Sequence, residues 1–109
     1  MDTGNYFFST QIKADFAEAE KRLREALAAE SFGIVSEIDF TQNIKNKLGA
    51  AVRPYKVLGA CLVQSAFKAL QHEKHIGLLM PCNTLIQETE PGVVEISVVD
   101  TMASMGAVR

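Results

Sequence analysis

The sequence predicts an α+β fold: a two-layer sandwich of a mainly antiparallel sheet with helices. Three observations lead there. Segments with β-strand character and segments with helical periodicity follow one another in the order β-α-β-(α)-β-α-β-β. The last two strands are joined directly by Glu90-Pro91-Gly92, a turn short enough for antiparallel neighbours. And 109 residues, 48% apolar and 22% charged, suit a single domain over residues 1–109 with a core of its own.

Each element has a local reason. Tyr6 to Ile12 is aromatic and β-prone. Asp15-Phe16-Ala17-Glu18 is a capping box, and Phe16, Ala19, Leu23, Ala26 and Leu27 give a helix to about Ala29 one apolar face. Gly33 ends that unit, with Phe32 able to pack back on it. Ile34 to Phe40 is a second strand. Thr41 is expected to cap a short helix from Gln42 to Leu48 that Gly49 stops. Pro54 is confined to the start or edge of a strand. Tyr55 to Leu58 is that strand, and Gly59-Ala60-Cys61 is expected as a turn. From Leu62 to about His72, Val63, Ala66, Phe67 and Leu70 mark an amphipathic helix. Ile76 to Met80 is a buried run that Pro81 breaks. Thr84 to Thr89 and Val93 to Val99 are the last strands, and Asp100 caps a final helical turn from Thr101 to Met105. Strand order does not follow from these patterns.

Composition narrows the function classes. No apolar run approaches the ~20 residues of a membrane span. The N-terminus lacks the basic flank and apolar stretch of a signal peptide. With two cysteines in a chain able to build a core, a reduced cytoplasmic setting is the default, unless an export signal has been removed. Residues 40–72 hold Lys45, Lys47, Arg53, Lys56 and Lys68 and no acid. Such a run is either an ordinary solvated face or an anion site. Aromatic residues are few and not interleaved with the basic ones, so no nucleic-acid partner is expected.

The most informative stretches are Arg53 to Cys61 and Met80-Pro81-Cys82-Asn83. They contain both cysteines, each at the end of an apolar run. Cys61 is placed between a strand and a helix start, where unpaired N–H groups and the helix dipole favour a thiolate. Arg53 and Lys56 would add positive charge, and Gly59 would let the backbone turn or approach a ligand. Cys82 follows a proline that interrupts the sheet. The expected ligand site is Cys61, Cys82, Arg53, Tyr55, Lys56 and Asn83, and a small anionic ligand is a possible occupant. Cys61 and Cys82 are the candidate metal ligands, with Met80 a conceivable third for a soft ion; haem is another conceivable cofactor. Equally, free cysteines are commonly small buried hydrophobes. His72 and His75, three apart at a helix end, suit the helix dipole better than a metal. No catalytic constellation or acid–base pair is visible, so the balance leans away from an enzyme. The function expected is binding of a small ligand, metal or haem near the cysteines. The alternatives are a structural homodimer module with buried thiols and a thiol-redox or sulfur-carrier protein.

Taken together, Ser31 to Asp39, Lys45 to Gly49, Arg53 to Cys61 and Leu79 to Asn83 resemble the family called domain of unknown function 302 over most of the chain. The resemblance implies a compact fold in the TATA-binding-protein-like grouping, a homodimeric habit and no established activity. Leu62-Val63 stands where that family usually has Asn-Pro, and the chain stops short of the family's longer C-terminal helix. A missing helix would leave one sheet face for a second chain to cover, which again predicts a homodimer.

Overall fold

A computed structural model describes residues 2–3 and 6–100. Six strands form one sheet: β1 (Asp2–Thr3), β2 (Phe7–Lys13), β3 (Gly33–Asp39), β4 (Tyr55–Cys61), β5 (Cys82–Glu90) and β6 (Val93–Val99). Their order is β1-β2-β6-β5-β4-β3, and every pairing is antiparallel. Three helices are inserted: α1 (Phe16–Ala29), α2 (Phe40–Leu48) and α3 (Val63–His72), and a 3-10 turn spans Ile76–Leu79. The α+β architecture and the antiparallel sheet are those expected. The helical turn expected after Asp100 lies outside the described residues.

The register divides the sheet into two faces. Leu58, Thr84, Ile86, Val94 and Ile96 share one face, because antiparallel partners point to the same side. Helix α1 lies on that face. Ala19 and Leu23 meet Leu58, Ile86 and Val94 in the buried core, with Ile12, Phe16, Leu27, Ile34 and Ile96 packed around it. The opposite face carries Phe7, Tyr55, Val57, Leu85 and Val99, and no helix among the described residues is laid across it. No helix among the described residues is long and apolar enough to cross a membrane.

Helix ends account for most departures from expectation. The capping box is half-present: Asp15 Oδ1 accepts from the Glu18 N–H at 2.7 Å. α1 closes with Ser31 in the left-handed region at φ 67°, while the Ser31 N–H donates to the Ala28 carbonyl and the Phe32 N–H to the Leu27 carbonyl. This is a Schellman ending with serine in the glycine position; Gly33 instead opens β3. Asp39, not Thr41, caps α2, accepting from the Gln42 N–H at 2.9 Å. Gly49 stops α2 at φ 68° as expected.

The other departures concern β4 and the segment from α3 to the 3-10 turn. Gly59-Ala60-Cys61 is strand rather than turn, because these residues pair with β3 on one side and Gly59 and Ala60 also pair with β5 on the other. A Cβ on Gly59 would stand 2.2 Å from Ser36 Oγ and 2.5 Å from Pro81 Cγ. The space beside Gly59 therefore belongs to the chain's own Pro81 and Ser36, not to a turn. The run from Ile76 buries only Ile76; Leu78 is 84% exposed. Of the expected apolar face of α3, only Ala66 turns inward. Val63, Phe67 and Leu70 face solvent, while Ala66 and Ala69 are half-buried.

Candidate functional site

β4 is the strand that carries the expected site, and it spreads that site out. Lys56 stands near its start and Cys61 at its end, five residues apart, or about 17 Å of extended chain. The six expected residues therefore do not gather in one pocket. Cys61 and Cys82 line one pocket, Tyr55 and Asn83 a groove on the open sheet face, and Arg53 and Tyr55 a cleft beside α2.

The basic residues are partnered by acids from elsewhere in the sequence. Lys56 Nζ lies 3.0 Å from Glu20 Oε2 and 3.5 Å from Glu37 Oε1. Arg24 holds the same two acids, at 2.7 Å to Glu20 Oε2 and by a short contact to Glu37. Burial works against a charged Glu20, but hydrogen bonds from Arg24 and Lys56, with their charges, outweigh it and lower its pKa. The hydrogen bond to Glu20 comes first in raising the pKa of Arg24. This cluster ties α1 to β3 and β4. Arg53 lies 3.7 Å from Glu88. Two cations of the acid-free segment, Arg53 and Lys56, thus face acids, and Lys56 is separated from Cys61 by the length of the strand.

The two thiols are placed by the sheet ends. Ala60 pairs with Cys82, so Cys82 points to the α1 side of the sheet. Cys61, next along β4, points to the other side. Both are half-buried, and no disulfide joins them. They are both among the residues that line a cavity of about 290 Å³, together with Phe32, Ala66, Ala69 and Met80. Burial pushes the Cys82 thiol's pKa up, and the neighbouring Cys61 pushes it further. Cys82 is therefore a thiol, not a thiolate, at neutral pH. α3 starts after Cys61 with Leu62 in the cap position and no side-chain hydrogen bond to the first turn.

No group of three or more His, Cys, Asp or Glu side chains able to hold a metal occurs among the described residues. His72 closes α3 as expected, while Nδ1 of His75 faces Glu73 Oε1 at 3.3 Å. Of the inner face of α3, Ala66 was expected from the sequence but Ala69 was missed. Its signal is the small pair Ala66 and Ala69, which the bulkier Val63, Phe67 and Leu70 obscured.

Residues 8–109 match the family model described as Domain of unknown function DUF302. The crystal structure of an uncharacterized conserved protein DUF302 from Bacillus stearothermophilus is similar to this fold, with a TM-score of 0.84 at 22% identity. The match covers 94% of this chain and 80% of that one. At that identity the likeness is one of fold. No curated protein matches the chain.

Proposed function

We propose that this chain, which belongs to the DUF302 family, is a binding module whose site is the cavity between Cys61, Cys82 and α3. The observation that carries this reading is that cavity: about 290 Å³, lined by Phe32, Ala66, Ala69 and Met80 and by both cysteines. That volume is near the lower end of the ~300–1,000 Å³ usual for small-molecule sites. A small, mostly apolar ligand suits it better than haem. The raised pKa of Cys82 favours a soft, polarisable lining over a nucleophile, so binding is preferred to thiol catalysis.

A thiophilic metal ion is the second reading, favoured by the presence of Met80 beside both thiols. The absorbance spectrum, mass and metal content of freshly purified protein separate the two. An apolar small molecule extracted from native protein and absent from Ala66→Phe, which fills the cavity, supports the first. Stoichiometric copper or zinc supports the second. Protein that carries neither, and whose Ala66→Phe variant binds a panel of small apolar compounds as well as the parent, overturns both.

The module is proposed to work as a homodimer in a reducing cytoplasm. The sheet face bearing Phe7, Tyr55, Leu85 and Val99, interleaved with Asn83, Gln87, Glu95 and Ser97, supports the first part, since no helix is laid across it among the described residues. A nucleic-acid partner is not proposed, because Arg53 and Lys56 face acids. Light scattering at micromolar concentration tests the dimer: twice the chain mass supports it, and a monomer overturns it.

A further inference from the structure

A cleft larger than the one beside the cysteines lies at the other end of β4, between α2 and the strand's first residues, and encloses about 600 Å³. Phe40, Ile44, Val52 and Tyr55 form its walls. Phe40, Val52 and Tyr55 remain 38%, 41% and 37% exposed, so apolar surface is left open where the chain had α2 available to cover it. The Phe40 and Tyr55 rings meet edge to face, with centroids 5.8 Å apart, and set a right-angled apolar corner.

The wall is held in place. Thr41 Oγ1 donates to the Arg53 carbonyl at 3.0 Å and accepts from the Tyr55 N–H at 2.8 Å. On the other side the Glu88 N–H donates to the Pro54 carbonyl at 2.9 Å. The backbone of 53–55 is thus clamped between α2 and β5, so a ligand need not order it on binding. Arg53 also lines the cleft, with its side chain 55% exposed. Its Nη1 lies 3.7 Å from Glu88 Oε1, well beyond the 2.7–2.9 Å of a charge-assisted hydrogen bond.

We propose that this cleft binds a small carboxylate with a flat apolar body, the body against Phe40, Ile44 and Val52 and the carboxylate on Arg53. The site is separate from the cysteine cavity and does not depend on it. Glu88 competes with the ligand for Arg53, and that competition gives the proposal a second handle. Neutralising Glu88 strengthens binding, whereas neutralising Arg53 weakens it.

The test is a titration of the full chain with 3-phenylpropionate and with 3-phenyl-1-propanol, its uncharged counterpart, followed by heteronuclear NMR. The expected result is saturable binding at about millimolar concentration, with shifts concentrated on Phe40, Ile44, Val52 and Tyr55. Arg53→Gln weakens the carboxylate about tenfold and leaves the alcohol unchanged; Glu88→Gln tightens the carboxylate. Shifts centred on Cys61 and Cys82, equal binding of acid and alcohol to the parent, or an Arg53→Gln variant that loses both alike would each overturn it. So would a titration with no saturation by about 10 mM.

Discussion

Gly59→Ala is the substitution that tests the architecture most directly. Gly59 is a buried residue of β4 with a hydrogen-bonded strand on each side, and its α-hydrogen faces Pro81 and Ser36. An added methyl meets Ser36 Oγ at 2.2 Å and Pro81 Cγ at 2.5 Å. The two obstacles differ. A serine hydroxyl rotates away about one bond, whereas a proline ring carbon moves only if the backbone moves with it. Overpacking of this kind costs about 1–3 kcal/mol, which for a domain near this size lowers Tm by about 4–8 °C per kcal/mol. A drop of roughly 10 °C is therefore expected, together with a lower urea midpoint at unchanged slope, both followed by far-UV circular dichroism. Gly59→Ala/Ser36→Ala removes the softer obstacle and recovers only a minor part of the loss. A single variant within about 0.5 kcal/mol of the parent, the range of an ordinary surface change, would refute the reasoning.

Three further substitutions probe the helix ends and the charge cluster. Ser31→Gly relieves a left-handed residue at the end of α1 and raises stability by up to about 1 kcal/mol, read from urea unfolding. Leu62→Asp supplies the missing cap of α3 and strengthens that helix by about 1 kcal/mol; slower amide exchange in the first turns of α3 is the readout, since the helix is too lightly packed to move the global Tm as far. Glu20 has a depressed pKa, so its contribution is complete above the unfolded-state value near 4.5 and fades as pH falls through the folded value. Glu20→Gln is therefore less stable than the parent at neutral pH, and the gap closes below about pH 4.5, measured as urea midpoint against pH.

Local pattern carried much of the fold. Asp15 and the periodic apolar residues after it place α1, Gly49 ends α2, and Glu90-Pro91-Gly92 joins the last two strands. What local pattern does not carry is the partner. Thr41 has the composition of a cap, yet its hydroxyl bridges to Arg53 and Tyr55, which lie far along the chain. Gly59 reads as a turn residue until Pro81 is brought against it. Arg53 and Lys56 read as open cations of the acid-free stretch until Glu88, Glu20 and Glu37 fold onto them. For the site, the sequence placed each cysteine where an apolar run stops, and both are among the residues lining one cavity. It also joined Arg53 and Lys56 to them as neighbours in sequence, and an extended strand separates neighbours by more than 3 Å per residue.

The outward placement of Val63, Phe67 and Leu70 on α3 reaches beyond packing. With small residues inward and Val63, Phe67 and Leu70 outward, little apolar surface is lost when the helix swings away, and its main packing partner is the 3-10 turn after it. Segments built this way detach at a fraction of the free energy of global unfolding. The α3 wall of the cysteine cavity is thus expected to open more readily than the sheet behind it. Access to Cys61 and Cys82 by solvent, alkylating reagent or ligand is set by how often that wall opens, and the rate of thiol labelling becomes a clock for α3 alone while the sheet stays intact.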